Sequence, residues 1–306
     1  MPVFVPRGFM AMKLTIKPDS KTFQKTKSFR HVADLPLRFD RLDPRDQDFK
    51  WAEVDIDLRE CNFVLPSAAL WCVVYLALAS HRGADCRLLV PLNTGVCVYL
   101  KSLGLFDSLK TFRVAVDDRD IGSGHSDKTI LPITPFKTTA DAAGVTNAAF
   151  TGLQSAGVGA ANLTSVVTEL LSELALNAAQ HSESAVGAFA CVQCFKSDDR
   201  GERFICTVAD GGMGVRESLY RNASLRERVS YDWDALELAV RERVSGTGDP
   251  QRGIGLYGVS EDVRRPGRSL LLHSGQGSLE IKEDLQSSAR RTRLFPGTLA
   301  FLSIPT

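Results

Sequence analysis

No Gly-Lys-Ser or Gly-Lys-Thr sequence occurs in this 306-residue chain, so a phosphate-cradling P-loop is excluded. No apolar run approaches a bilayer span, and the opening Met-Pro-Val-Phe-Val-Pro-Arg is too short and interrupted for a signal peptide, so a membrane span is not expected. A formal net charge of only +1 argues against broad electrostatic binding to nucleic acid. The seven cysteines form no paired framework; their odd number and apolar surroundings predict buried thiols in a reducing, cytoplasmic setting. Cys191-Val-Gln-Cys194 has the spacing of half a zinc site, but no second pair is near. It also falls in the strand-like run Val186 to Phe195, where an offset of three puts the thiols on opposite faces.

What the chain does have is enough apolar content, 44%, for two cores. Its most informative stretch is Glu173 to Ser182. Leu163, Val166, Val167, Leu170, Leu171, Leu174 and Ala178 recur at helical spacing and predict a helix buried against a sheet. On that helix Glu173, Asn177 and His181 stack on one face at four-residue steps. An amide oxygen from Asn177 suits magnesium, which takes hard oxygen ligands and keeps several waters when it bridges phosphates. Glu173, one turn earlier, is placed to polarise a hydroxyl or water.

Three later segments extend the pattern. Asp210-Gly-Gly-Met-Gly214 follows the strand-like run Arg203 to Ala209, placing an acid and a flexible loop at a strand end. Such an acid accepts a hydrogen bond from an exocyclic amine like that of adenine. Arg252-Gly253-Ile254-Gly255-Leu256-Tyr257-Gly258 opens a helix, where backbone N–H groups approach phosphate oxygens. Gly297-Thr298 begins the closing strand Leu299 to Ile304. The second glycine segment also spells a dinucleotide fingerprint, but that needs a strand just before it, and Ser245 to Arg252 is none.

From about residue 160 onward this order of motifs resembles the GHKL superfamily of ATP-binding domains, shared by sensor histidine kinases, anti-sigma-factor serine kinases, gyrase-type ATPases and heat-shock chaperones. Glu173, Asn177 and His181 match its N box. Asp210, Gly212 and Gly214 match the first glycine box, Gly253, Gly255 and Leu256 fall in the second, and Gly297-Thr298 is the last. The resemblance implies ATP and Mg2+ as cofactors, with Glu173 catalytic, Asn177 toward the metal, Asp210 reading adenine and Thr298 supporting it. His181 is then a phosphate or lid contact, or else a solvated helix end. Arg252 either forks onto a terminal phosphate or is simply solvated.

Residues 1–50 form a charged entry segment with some strand content. A β-α-β-α pattern follows: strand Trp51 to Leu58, helix Ser67 to His81, strand Cys86 to Val90, helix Gly95 to Leu103. Residues 54–109 resemble, more loosely, the STAS domain of anti-anti-sigma factors, in Leu-Leu-Val-Pro-Leu-Asn followed by Tyr-Leu-Lys-Ser-Leu-Gly-Leu. Where that family presents a phosphoacceptor serine or threonine, this chain has Leu65-Pro66-Ser67-Ala68, and Ser67 is expected to be a helix N-cap. Gly122 to Asp127 reads as a linker. The expected fold is thus α/β (α+β): an entry segment at 1–50, a STAS-like domain at 51–128 and a GHKL α/β sandwich at 129–306. Between the glycine boxes, the helical stretch Asp234 to Arg243 and the glycine-rich Ser245 to Asp249 suit a hinged lid or a static loop.

Two function classes follow from these resemblances: phosphoryl transfer from Mg-ATP to a protein serine or threonine or to water, and an ATP-gated binding module with little turnover. The acid at Glu173 favours turnover. No helical hairpin with an exposed histidine precedes the domain, which disfavours histidine autokinase activity, and the chain ends with its last strand, leaving no transducer domain of the gyrase type. The resemblance implies a regulatory protein partner of STAS or sigma-factor type, and leaves a homodimer open.

Overall fold

Two sheets organise the chain, one parallel and one antiparallel. The computed structural model describes residues 13–17, 43–47, 49–117, 129–156, 161–197, 201–246, 253, 255–283 and 288–306. The parallel sheet runs in the order β1 (Lys13–Ile16), β2 (Glu53–Asp57), β3 (Asp85–Leu89), β4 (Ala115–Val116). β1 thus draws part of the entry segment into this sheet; the linker at 122–127 lies outside the described residues. β2 shows why the sheet has two unlike faces: Val54 and Ile56 are fully buried, while Glu53, Asp55 and Asp57 alternate onto the other side. There Asp55 pairs with Lys13 at 3.0 Å and Arg87 at 2.7 Å, and Asp57 with Arg59 at 2.7 Å and Lys17 at 3.4 Å. The Arg59 hydrogen bonds hold the Asp57 carboxyl down at about 2.

Helix α1 (Pro66–His81) is buried at every residue from Pro66 to Ala79. A helix that is apolar all round needs partners all round, and α1 has them: β2 and β3 on one side and the second, antiparallel sheet on the other. Its start corrects one expectation. The N-cap is Leu65, with no side-chain hydrogen bond, and Pro66 opens the helix where its missing N–H costs nothing. Ser67 therefore lies inside the first turn, fully buried, with its hydroxyl unpaired. The half closes with α2 (Thr94–Ser102), capped by Asn93 through Val96 N, and α3 (Leu105–Lys110).

The antiparallel sheet has the order β5 (Thr129–Phe136), β6 (Ala188–Ser197), β7 (Gly201–Asp210), β9 (Ser288–Pro305), β8 (Ser269–Lys282). Both of its faces are apolar. Phe189, Cys191, Ile205, Leu271, Phe295, Leu299 and Phe301 turn toward α1 and join the core of the N-terminal half. Ala190, Val192, Phe204, Cys206, Val208, Leu272, Ala300 and Leu302 turn the other way, under α4 (Thr139–Ser155) and α5 (Ala161–His181). Cys194 lies on that second side and Cys191 on the first, so the Cys-x-x-Cys pair does not converge on a metal. α4 begins with a capping box in which Thr138 Oγ1 accepts from Asp141 N and Asp141 Oδ2 from Thr138 N.

The two halves are joined by more than α1. Ile133 N of β5 donates to Leu103 O at 2.8 Å, Tyr99 Oη donates to the buried Gln193 Oε1 at 2.8 Å, and Phe112 meets Phe189 edge-on. Among the described residues the second half also holds the α-helices α6 (Gly214–Tyr220), α7 (Asp232–Ala239) and α8 (Gly255–Asp262). α7 ends earlier than expected, because the chain leaves helical geometry at Val240 and turns through Arg243 at φ 59. Arg243 N then donates to Gly253 O, which bends the segment back toward the second glycine motif.

Candidate functional site

On the face of the antiparallel sheet opposite α1, a cleft of about 150 Å³ opens between α5, the sheet and the α6–α7 segment. Its floor is apolar, formed by Val208, Leu272 and Ala300 from three adjacent strands. Asn177 and His181 enter from α5, Asp210 and Gly214 from the end of β7, Gly253, Gly255 and Leu256 from the start of α8, and Thr298 from β9. Four motifs scattered over more than a hundred residues therefore meet in one cavity.

Close approach explains two of the glycines. A β-carbon on Gly255 would overlap Glu173 Oε2 and lie 3.8 Å from Asn177 Nδ2, so the glycine lets the α8 backbone approach the acid and amide of α5 without displacing the Glu173 carboxylate. A β-carbon on Gly212 would overlap the Ser182 carbonyl. Gly212 does not line the cleft itself but shapes its rim. Asn177 Nδ2 is buried without a hydrogen-bond partner, a polar atom turned to a site that offers it nothing within the chain.

Asp210 is the buried acid of the cleft. It sits opposite Thr298 in the β7–β9 ladder and accepts a 2.8 Å hydrogen bond from Gly212 N. Burial pushes its carboxyl up to about 7, against the pull of Gly212 N, the Arg45 charge and the Thr298 backbone. The loop after it is fastened on several sides. Met213 N donates to Ser182 O at 2.9 Å, and Val215 N to Ser274 Oγ at 2.9 Å, which in turn donates to Gly297 O.

The segment between the glycine motifs has a small core of its own, made of Leu219, Leu225, Val229, Ala235, Leu238 and Ala239. It is tied down by Asn222 Nδ2 to Ser245 O at 2.9 Å and by Arg221 to Glu183 just past α5. Arg252 and residues 247–250 lie outside the described residues. Among the described residues no group of three or more His, Cys, Asp or Glu side chains is placed to hold a metal ion.

Ser274 and Arg45 shape the site without belonging to any motif recognised in the sequence, and Ser182, the last residue of the Glu173 to Ser182 stretch, does so through its backbone carbonyl. Neither Ser274 nor Arg45 carried a signal in the sequence: Ser274 stands one residue beyond the His273 that ends the run Leu270-Leu-Leu. Among the described residues no helix is long and apolar enough to cross a membrane. Comparison with family models, with curated proteins and with solved structures gives no match.

Proposed function

We propose that the cleft binds ATP in the manner of GHKL domains and couples it to phosphoryl transfer or hydrolysis in a signalling switch. One observation carries the reading: Asn177 and His181, Asp210 and Gly214, Gly253, Gly255 and Leu256, and Thr298 line one cavity from four separate segments. An antiparallel sheet with α4 and α5 on one face fits the GHKL half, and a parallel sheet with α1 to α3 fits the STAS-like half. In this reading Asp210 accepts from the adenine amine, Val208, Leu272 and Ala300 contact its ring, and the α8 backbone faces the phosphates. The Asn177 carboxamide oxygen would be the chain's hard ligand for a magnesium ion, its buried, unpaired Nδ2 would be free to donate to a ligand oxygen, and Glu173 beside it would take the proton of the attacking hydroxyl or water. Magnesium, when bound, neutralises charge that develops on the phosphoryl oxygens.

Transfer to Ser67 of the same chain is disfavoured. That serine is buried in α1, behind the sheet from the cleft, and about 16 Å along the helix from Leu78, which touches the first glycine loop. The acceptor is therefore water or a hydroxyl on a regulatory protein partner. Calorimetric titration of the full chain with Mg-ATP and Mg-GTP tests the proposal. ATP is expected to bind in preference to GTP, with magnesium dependence lost in Asn177→Ala; equal affinity for both nucleotides would remove the adenine role of Asp210, and no binding of either would overturn the assignment.

A further inference from the structure

The first glycine loop is held by the N-terminal half as well as by its own. Leu78 of α1 packs on Gly211, where an added β-carbon would lie 3.0 Å from Leu78 Cδ1. Next to it Arg45 Nη1 donates to the Gly212 carbonyl at 2.7 Å, across 167 positions of sequence. The guanidinium is itself aimed: Nε and Nη2 both bind the Asp43 carboxylate, at 2.9 and 2.6 Å, leaving Nη1 for Gly212. The peptide joining Gly212 to Met213 is then fixed at both ends, its carbonyl by Arg45 and its N–H by Ser182 O. Because a peptide is planar, fixing both ends sets its orientation. The preceding N–H, that of Gly212, donates to Asp210 Oδ1 at 2.8 Å.

We propose that Arg45 is a positioning residue of the nucleotide site, which locks the Gly212 peptide and places a positive charge beside Asp210, so that the N-terminal half sets how well the cleft accepts adenine. The inference rests on the nucleotide reading of the cleft. Among the described residues the groups around Asp210 are Arg45 with its partner Asp43 from the N-terminal segment, His181 at the end of α5, which lines the same cleft, and the uncharged Thr298 and Ser274 from β9 and β8. Arg216, on the adjoining α6, is turned to Val229 O. Loss of the Arg45 charge is therefore expected to shift the carboxyl further toward its protonated form, and loss of the fork to free the loop.

Arg45→Met and Arg45→Lys separate the two effects. In the free protein, carbon-13 NMR of labelled aspartate follows the Asp210 titration, and hydrogen exchange follows the Gly212 amide. Arg45→Met is expected to raise the Asp210 midpoint by about one pH unit, a tenfold change in carboxylate fraction where most is protonated, and to speed exchange at Gly212. Its Mg-ATP affinity at pH 7 should fall several-fold. Arg45→Lys restores the charge but not the fork, so the titration should recover while Gly212 exchange stays fast. An unchanged midpoint together with unchanged exchange in Arg45→Met overturns the proposal. Should Arg45→Met fail to fold, Arg45→Lys decides alone, and full Gly212 protection in it is the overturning result. Both readouts are taken without nucleotide, so they judge Arg45 even if the cleft proves not to bind ATP.

Discussion

The two faces of the antiparallel sheet are built from the same strands and have opposite tasks. On β7, Ile205 points to α1 while Phe204, Cys206 and Val208 point to α5 and the cleft. Toward α1, Phe189, Phe295 and Phe301 pack among apolar neighbours. Toward the cleft stand a buried acid at the end of β7, a glycine of α8 set against the Glu173 carboxylate, and an α5 amide nitrogen with no partner. Packing alone accounts for the first face. The second departs from the rules of a well-satisfied core at Asp210, Gly255 and Asn177, and such local departures are where a ligand is expected to complete the structure.

The sharpest way to break this comparison is to uncover the α1 face. Removing residues 1–128 would expose Phe189, Ile205, Leu271, Phe295, Leu299 and Phe301 together. Losing burial of large apolar side chains, at about 1.5–3 kcal/mol each, approaches or exceeds the roughly 5–15 kcal/mol that holds a domain folded. The truncated chain is expected to aggregate or lose cooperative unfolding, measured by size-exclusion chromatography and thermal circular dichroism. A soluble, cooperatively folded fragment would show that the second sheet is self-sufficient.

The next largest effect falls on the cleft face and should leave stability alone. Glu173→Gln keeps size and reach but removes the basic carboxylate. Phosphate release or transfer is expected to fall by about a hundredfold or more while Mg-ATP still binds. Turnover equal to that of the unaltered protein would remove Glu173 from the chemistry.

A pH series then tests Asp210. Its folded value, about 7, lies above the ordinary carboxylate range, so between the two the native state holds the extra proton. Stability of the free protein should accordingly fall as pH rises through that window. Nucleotide affinity should run the other way, rising by roughly tenfold from pH 6 to 8 as the carboxylate forms to accept from adenine. Asp210→Asn supplies the control, and a wild-type affinity profile no steeper than that of this variant would contradict the role.

These contrasts also show what could be read from the residues. The stripe from Leu163 to Ala178 announced α5 because its partner, the sheet, lies on one side only. The run Ser67 to His81 announced a helix apolar on every side, which calls for burial all round, but nothing local names the second partner, a sheet supplied by residues 129 onward. α4 went unread although Thr138 and Asp141 carry its capping box, because its Ala-, Gly- and Thr-rich sequence gives only a weak apolar stripe. The end of α7 was misplaced because a left-handed Arg243 leaves no compositional mark. The motif residues lining the cleft were legible as short patterns. Arg45 was not, because its partner Gly212 is brought to it only by the docking of the two halves.

The smallest expected effect comes from Ser67. If its hydroxyl capped α1, replacing it would cost about 0.5–2 kcal/mol. Instead Leu65 is the N-cap and the Ser67 hydroxyl is buried without a partner. An unpaired buried hydroxyl has already lost its water without recovering a bond, so removing it is neutral or stabilising. Ser67→Ala should therefore leave the denaturation midpoint unchanged or slightly raised, and Mg-ATP affinity unchanged. Incubation with ATP labelled in its terminal phosphate completes the test, since a buried residue on the α1 side of the sheet should take up no label. Label on Ser67 would mean that α1 leaves its place between the two sheets, and that the contrast between a packed face and a reactive one does not hold through the working cycle.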